Sequence, residues 1–311
     1  MEGRLRPAAT DRQGRDVAIQ LPEDILDELR RVGRRFDSET IQAAYDLLAP
    51  LHEGREAPRV VCDLAYGPDP RHRLDVHTDP AATGRPVLVF VHGGGFVGGD
   101  KKREGYPFYD NVGRWATDHG LVGVTTTYRL APAHTWPAAA EDVAAAVRWV
   151  AEHAEEYGGD PRRIIVMGQS AGAAHVASYI AGHGGPVADG VTGAVLMSGY
   201  YDPASDPGDE MARSYFGVDD LPAKSALAGL VASPLPLLFA VAELDVPLFH
   251  RQAVVLLDAM LAATGVTPLF VTIPDATHLS EILALGLDGS SVGTRLDGGF
   301  GDVLAGFVGR L

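Results

Sequence analysis

The chain has 311 residues, of which 46% are apolar and 22% charged, and its formal charge at pH 7 is −15. This composition is typical of a folded globular protein and excludes wholesale disorder. The acidic balance disfavours binding to the phosphate backbone of a nucleic acid. It also predicts that strongly anionic substrates are not attracted over long distances.

Cys62 is the only cysteine in the sequence, which excludes an internal disulfide and a metal cluster built from cysteine alone. The charged first twenty residues lack the apolar stretch of a signal peptide. The longest apolar stretch, residues 229–242, contains two prolines and is shorter than the about 20 residues that span a bilayer. The sequence therefore predicts a cytoplasmic protein with no membrane partner.

The segment 21–58 contains two amphipathic helices before the first predicted strand. Apolar residues recur at helical spacing from Leu21 onward, and the second helix, residues 38–48, begins with Ser38 as its N-cap. We interpret residues 1–20 as a polar tail and residues 21–58 as a helical cap on the domain that follows.

Eight short strands alternate with helices in the remainder of the chain. Most of these strands are continuous apolar runs, which is typical of strands buried on both faces of a parallel sheet. The predicted strands are residues 60–66, 72–77, 87–91, 121–125, 164–167, 191–197, 237–241 and 269–273. The predicted helices are residues 111–119, 138–157, 171–181, 248–264 and 300–311. This order predicts an α/β domain over residues 59–311, with a mostly parallel sheet and helices on both faces.

The pentapeptide GQSAG at residues 168–172 fits the pattern G-x-S-x-G and lies between an apolar strand and an alanine-rich helix. In that context the serine occupies a sharp turn at the carboxyl edge of the sheet, beside the free N–H groups of the helix start. The two glycines are needed because a Cβ there would collide with neighbouring backbone. The pattern predicts Ser170 as a nucleophile, and the alternative is an ordinary turn between strand and helix.

A second glycine-rich segment, HGGGF at residues 92–96, follows the predicted strand at 87–91. Consecutive glycines let the main chain approach a ligand closely, and their N–H groups can stabilise the charge that forms on oxygen during acyl transfer. The alternative is a phosphate-binding loop, but the spacing matches neither common nucleotide motif. His92 is interpreted as a structural residue that braces this loop.

These two motifs, with YRLAPAHTWPAAAEDV at residues 128–143 and DPRRI at residues 160–164, make the chain similar to the α/β-hydrolase superfamily. The resemblance is to hormone-sensitive-lipase-like carboxylesterases, with kinship to kynurenine-formamidase-like enzymes, and it covers about residues 60–311. Gln169 and Ala173 depart from the commonest esterase pattern and favour the formamidase-like branch.

The resemblance implies an α/β-hydrolase fold and an oxyanion hole made by the N–H groups of Gly94, Gly95 and Ala171. It also indicates a homodimer. No metal or organic cofactor is expected, because the resemblance requires none and no metal-ligand spacing such as H-E-x-x-H occurs.

A nucleophilic serine needs an adjacent base that is oriented by a carboxylate, and in this fold the chain order is serine, acid, histidine. Asp245 follows the strand at 237–241 and is predicted as the acid, with Glu243 as a competitor. His278 follows the last strand and is predicted as the base. His250 is the rival base, but it lies at a helix start and too close to Asp245 in the chain.

Residues 200–233 form a long insertion between two strands, and we expect this insertion to contribute to a lid. Six residues near strand ends or in the insertion are predicted to shape a substrate pocket: Phe96, Gln169, Tyr200, Tyr201, Phe216 and Phe249. For each aromatic residue of this set, packing of the insertion onto the body is an equally good alternative.

The predicted function is hydrolysis of short- to medium-chain uncharged carboxylic esters through a Ser-His-Asp triad and an acyl-enzyme. The partner is thus a small-molecule ester, or a formamide in the alternative that the chain is an arylformamidase. A third reading is a ligand-binding receptor on the same fold, which the presence of His278 disfavours.

Overall fold

The computed structural model describes residues 21–54, 58–287 and 300–311. The polar tail predicted at residues 1–20 lies outside the described residues. Within the described ranges, every helix is too short or too polar to cross a bilayer.

The structure contains strands at each of the eight predicted positions. They are β1 (Arg59–Ala65), β2 (Arg73–Thr78), β3 (Arg85–Val91), β4 (Val122–Thr126), β5 (Gly159–Gln169), β6 (Val191–Met197), β7 (Leu237–Ala242) and β8 (Leu269–Ile273). The helices are α1 (Glu23–Val32), α2 (Ser38–Leu48), α3 (Asp110–Asp118), α4 (Ala138–His153), α5 (Ala171–Ile180), α6 (Glu210–Phe216), α7 (Leu227–Ala232), α8 (Pro247–Thr264), α9 (Ser280–Leu283) and α10 (Phe300–Val308).

The strands form one sheet in the order β1-β2-β4-β3-β5-β6-β7-β8. β2 runs antiparallel to both of its neighbours, and all the other neighbouring strands are parallel. β3 and β5 lie side by side with Val91 opposite Gly168. The sheet therefore brings the glycine loop after β3 and the serine turn after β5 to the same carboxyl edge.

Apolar side chains of the central strands point alternately to the two faces of the sheet, and each face is covered by helices. Val87 and Val89 of β3 belong to the hydrophobic cluster that includes residues of α4, α5 and α8. Leu88 and Phe90 belong to a second cluster with residues of α2, α3 and α10. Because burial of one such side chain stabilises the fold by about 1.5–3 kcal/mol, this two-sided packing fixes the central strands on which the site is built.

Several predicted helix boundaries differ from the structure by one to four residues, those of α2 and α4 among them. The N-cap of α2 is Asp37 and not Ser38, because the Asp37 carboxylate accepts a hydrogen bond from the Thr40 N–H at 2.9 Å. The helix predicted at 138–157 ends as α4 at His153 and continues as a 3₁₀ turn to Tyr157. None of these differences moves a predicted site residue.

The helical cap and the insertion both reach the carboxyl edge of the sheet. Phe36, in the connection between α1 and α2, contacts the ring of His278 at a centroid distance of 4.7 Å. The insertion at 200–233 contains α6 and α7, and the side chain of Met211 on α6 lies against Gly95 of the glycine loop. The division of the chain into cap, catalytic domain and lid stays a prediction.

Candidate active site

Ser170 lies on a strained turn between β5 and α5. Its φ of 57° and ψ of −124° are unusual for a residue with a side chain, and its N–H donates a hydrogen bond to the carbonyl of Met197 at 2.9 Å. A Cβ on Gly168 would lie 2.5 Å from the Gly172 carbonyl oxygen, and a Cβ on Gly172 would lie 2.1 Å from that of Val91. The two glycines therefore permit the close backbone approach that this turn requires.

The side chains of Ser170, His278 and Asp245 form one chain of hydrogen bonds. Nε2 of His278 lies 2.8 Å from the Ser170 hydroxyl oxygen, and its Nδ1 lies 3.0 Å from Oδ1 of Asp245. The three residues are 5%, 2% and 0% exposed, respectively. In this arrangement the imidazole can donate from Nδ1 to the carboxylate and accept the serine proton at Nε2.

The competing acid and base lie elsewhere. Glu243 is exposed, and its carboxylate accepts a hydrogen bond from the Asp275 N–H at 2.9 Å. His250 lies 2.7 Å from the guanidinium of Arg34. The geometry thus joins Asp245 and His278 to the serine, and it gives the two competitors other partners.

Two aromatic rings and one arginine hold the histidine and the acid in place. Phe249 stacks on the His278 ring at 4.2 Å, and Phe36 meets the same ring edge-on. Arg34, also from the helical cap, donates a hydrogen bond to the Asp245 carbonyl at 3.0 Å. Sequence reasoning missed Phe36 and Arg34, because no motif marks them and only the folded cap brings them to the site.

The glycine loop has a tightly turned backbone. Gly94 has a φ of 137°, and a Cβ there would lie 2.1 Å from the Gly98 carbonyl oxygen. Behind the loop, His92 is fully buried, stacks on Tyr128 and hydrogen-bonds the Gly93 carbonyl through Nδ1 at 2.6 Å. Burial lowers the pKa of His92 to about 4, so this imidazole is neutral and braces the loop.

A cavity of about 370 Å³ lies beside Ser170. Its walls come from the helical cap, the glycine loop and its continuation, the serine turn and the histidine loop. The lining residues are Phe36, Ile41, Tyr45, Gly93, Gly94, Gly99, Asp100, Lys102, Arg103, Tyr109, Gln169, Ser170, His278 and Leu279. The helical cap thus supplies an apolar wall of the cavity. The apolar pocket residues that the sequence predicted lie in other segments.

Of the six predicted pocket residues, only Gln169 lies on the wall of this cavity. The five aromatic residues Phe96, Tyr200, Tyr201, Phe216 and Phe249 are not among its lining residues, and their place in a substrate pocket stays a prediction. All five are buried, Phe249 against His278 and the other four in the hydrophobic cluster beneath the insertion. Phe96, for example, stacks on Tyr215 of the insertion at 5.1 Å. The alternative, packing of the insertion onto the body, describes four of them.

Gln169 belongs to a buried polar network beneath the histidine. Its Nε2 donates to the His278 carbonyl at 2.8 Å and to the carboxyl group of Glu281 at 2.9 Å. The Ser198 hydroxyl lies 2.9 Å from the other oxygen of Glu281. Burial, and then the nearby charge of Asp245, raise the pKa of Glu281 well above its usual value. Sequence reasoning missed Glu281, which lies within one helical turn of the histidine and on the same side of the sheet edge.

Replacing Glu281 with glutamine should make stability less dependent on pH. A carboxyl group whose pKa is raised by folding contributes most to stability at low pH. This contribution is lost as the pH rises from the pKa of the group in the unfolded chain to its higher pKa in the folded protein. Glutamine has nearly the same size and shape as glutamate and can still form hydrogen bonds, but its amide group does not titrate. Urea unfolding at pH 5, 7 and 9 should therefore show the Glu281→Gln protein gaining on the wild type as pH rises. A difference that stays constant with pH would contradict this assignment.

Asp245, His278 and Glu281 also place potential ligand atoms within 4.8 Å of one another, which is close enough to hold a metal ion. Both ring nitrogens of His278 are already engaged, with Ser170 and with Asp245. A cation bound by this trio would therefore replace at least one of the hydrogen bonds that join His278 to Ser170 and Asp245. That no metal or cofactor is needed stays a prediction.

Solved esterase structures share this arrangement of strands and helices. An esterase from Pyrobaculum calidifontis aligns with 85% of this chain and 92% of its own, at 25% identity and a TM-score of 0.61. Esterase B from Lactobacillus rhamnosis aligns with 84% of this chain and 89% of its own, at 19% identity and a TM-score of 0.64. The chain has the α/β-hydrolase fold. The predicted fold class is confirmed.

Sequence relatives of this chain are also named as esterases. The BD-FAE family matches residues 74–189. Esterase LipI from Mycobacterium tuberculosis is 40% identical over 141 residues, which are 44% of this chain and 42% of LipI. Carboxylesterase NlhH from the same organism is 48% identical over 88 residues, which are 28% of this chain and 26% of NlhH. The matched segments thus span less than half of either relative, and the predicted resemblance to esterases is confirmed.

Proposed function

We propose that this α/β-hydrolase cleaves short- to medium-chain carboxylic esters with Ser170 as the nucleophile. The observation that supports this most strongly is the hydrogen-bonded series Ser170, His278 and Asp245, of which the serine and the histidine lie on the wall of the cavity. Relatives that are named as esterases and carboxylesterases support the same chemistry.

His278 takes the proton of the Ser170 hydroxyl at Nε2 as the oxygen attacks the carbonyl carbon of the ester. Asp245 accepts the hydrogen bond from Nδ1, which fixes the tautomer and stabilises the imidazolium that forms. The imidazolium then gives its proton to the departing alcohol, and an acyl group remains on Ser170. Water activated by the same imidazole releases the acid and restores the serine.

The N–H groups of Gly94, Gly95 and Ala171 are proposed as the donors to the oxyanion of the tetrahedral intermediate. Gly94 lies on the cavity wall next to Ser170, and Ala171 is the first residue of α5, where N–H groups have no intrahelical partner. Loss of one such donor typically costs about 2.7–4 kcal/mol of transition-state stabilisation. Because these donors belong to the main chain, side-chain substitutions at these positions act through the loop geometry.

Cleavage of an aryl formamide is the second candidate, because Gln169 occupies the position next to the nucleophile and lies on the cavity wall. The triad chemistry is the same for the two substrates, and only the leaving group and the small formyl group differ. The cytoplasmic location and the homodimer suggested by the sequence stay predictions.

The two candidates are separated by comparing kcat/KM for p-nitrophenyl acetate, butyrate and octanoate with kcat/KM for N-formylkynurenine. We expect the acetate and butyrate to be the best substrates, because a cavity of about 370 Å³ that also contains charged residues leaves little room for a long acyl chain. A preference for the formamide by several orders of magnitude would overturn the assignment as an esterase. Preference for octanoate would contradict the limit that we expect the cavity to place on the length of the acyl chain.

A further inference from the structure

The cavity beside Ser170 has an apolar side and a basic corner. Phe36, Ile41 and Tyr45 of the helical cap form the apolar side, whereas Lys102 and Arg103, which follow the glycine loop, supply two positive charges. A substrate in this cavity therefore meets both kinds of surface, and the two cations differ in what already neutralises them.

Lys102 lies 3.3 Å from a carboxylate oxygen of Asp110. The acidic residue on the cavity wall, Asp100, lies 3.8 Å from Arg71. Both charges are thus already paired. By contrast, within the described part of the chain the Arg103 guanidinium contacts neutral groups. Its positive charge is therefore the unpaired one on this wall.

The guanidinium of Arg103 is held in a fixed plane. One Nη2–H donates to Oε1 of Gln42 at 2.9 Å, and the group lies 4.1 Å above the ring of Tyr45 and 5.1 Å from the ring of Tyr106. The acid of this network, Asp46, accepts hydrogen bonds from Gln42 and Tyr106 instead. Because a guanidinium has five N–H donors, most of them remain for a ligand, already oriented.

We propose that Arg103 binds a carboxylate of the substrate, so that this hydrolase prefers esters that carry a free carboxylate remote from the bond that is cleaved. The inference rests on the proposed function and adds a substrate class to it, which replaces the uncharged esters predicted from the sequence. A planar guanidinium matches a carboxylate with two parallel hydrogen bonds. One unpaired positive charge also suits a monoanion better than a phosphate group, which carries about −1.5 to −2 charges at pH 7.

The net charge of −15 does not oppose this binding strongly. Charges on the surface are screened over about 10 Å at 0.1 M salt. A carboxylate that has entered the cavity interacts mainly with the groups that line it, of which Arg103 is the unpaired cation. The acidic surface therefore slows entry of an anion, and the cavity wall decides whether it is retained.

The test compares monomethyl adipate with dimethyl adipate. The two substrates present the same methyl ester on the same acyl chain, and they differ only in whether the far end is a carboxylate or an ester. We expect Arg103→Met to lower the ratio of kcat/KM for the monoester to that for the diester by about tenfold or more, mainly through KM. Arg103→Lys should give an intermediate ratio, because it keeps the charge and loses the planar fork.

Lys102→Met is the matched control, because it removes one positive charge from the next residue on the same wall. Since Lys102 is already paired with Asp110, we expect the ratio to change by less than about threefold. Raising the salt concentration from about 0.05 M to about 1 M should raise KM for the monoester in the wild type, and this effect should be weaker in Arg103→Met.

The inference is overturned if the ratio for Arg103→Met equals that of the wild type, or if Lys102→Met lowers the ratio as much. Equal losses on both esters would assign Arg103 a structural role, and melting temperatures of the variants check this directly. If Arg103→Met does not fold, Arg103→Lys provides the same comparison. If the wild type hydrolysed none of the three substrates (the two adipate esters and p-nitrophenyl butyrate), the proposed function itself would be overturned. Failure of the proposed function is thus distinguished from failure of the inference about Arg103.

Discussion

Replacing Ser170 with alanine should lower kcat for p-nitrophenyl butyrate by about 10⁴-fold or more, because loss of the nucleophile in a triad removes most of the rate enhancement. The hydroxyl is the group 2.8 Å from Nε2 of His278, and alanine has no atom that could attack the ester in its place. Steady-state hydrolysis of the nitrophenyl ester measures the effect. A variant that keeps more than about 1% of wild-type turnover would exclude a serine mechanism at this site.

The matched control is Ser178→Ala, which makes the same chemical change within the helix that follows Ser170. Ser178 is buried in α5 and takes no part in the triad. We expect its kcat to stay within about threefold of the wild type, since buried substitutions of this kind act through stability. Labelling with a phosphonate provides a second readout: mass spectrometry should find the adduct on the peptide that contains Ser170, and none should form on the Ser170→Ala protein.

The residues that were predicted from the sequence share one feature, which is that each follows a strand of the parallel sheet. Ser170 follows β5, Asp245 follows β7 and His278 follows β8, so their order along the chain and the geometry of parallel strands bring them to one edge. Local patterns are sufficient for such residues, because the sheet positions them whatever the side chains around them are. The glycine loop after β3 is predictable for the same reason.

The residues that were missed, and the aromatic residues predicted for the pocket, depend on contacts between distant parts of the chain. Phe36 and Arg103 line the cavity because the helical cap folds against the segment that follows the glycine loop. Phe96 packs against Tyr200 and Phe216 of the insertion, since aromatic side chains gain more from contact with each other than from exposure in an open cavity. No periodicity or motif encodes that choice, which the tertiary packing decides.

The exact residue at which a helix begins is also difficult to predict from the sequence. Both Asp37 and Ser38 are residue types that favour an N-cap, and the sequence alone gives no reason to choose between them. The N-cap of α2 is Asp37 in the structure. The Thr40 N–H donates to the Asp37 carboxylate, and the Thr40 side chain accepts a hydrogen bond from the Asp37 N–H. This reciprocal pair fixes the connection between α1 and α2, and with it the position of Phe36 against His278.

Asp245→Asn should lower kcat for p-nitrophenyl butyrate by about 10⁴-fold, because an amide in place of the carboxylate favours the wrong tautomer of the histidine and cannot stabilise the imidazolium. Oδ1 of Asp245 lies 3.0 Å from Nδ1 of His278 and also accepts the Val246 N–H at 2.8 Å, so the carboxylate is held on both sides. The variant conserves shape, and its melting temperature should show whether lost activity reflects lost folding.

Glu243→Gln is the matched control for this variant, because Glu243 is the other acidic residue in the loop after β7. Its side chain is exposed and accepts the Asp275 N–H, which places it in a surface turn and not beside the histidine. We therefore expect Glu243→Gln to change kcat by less than about threefold, as surface substitutions usually have small effects. If Glu243→Gln were the inactive variant and Asp245→Asn the active one, the hydrogen bond from His278 to Asp245 would not be the one that orients the base during turnover.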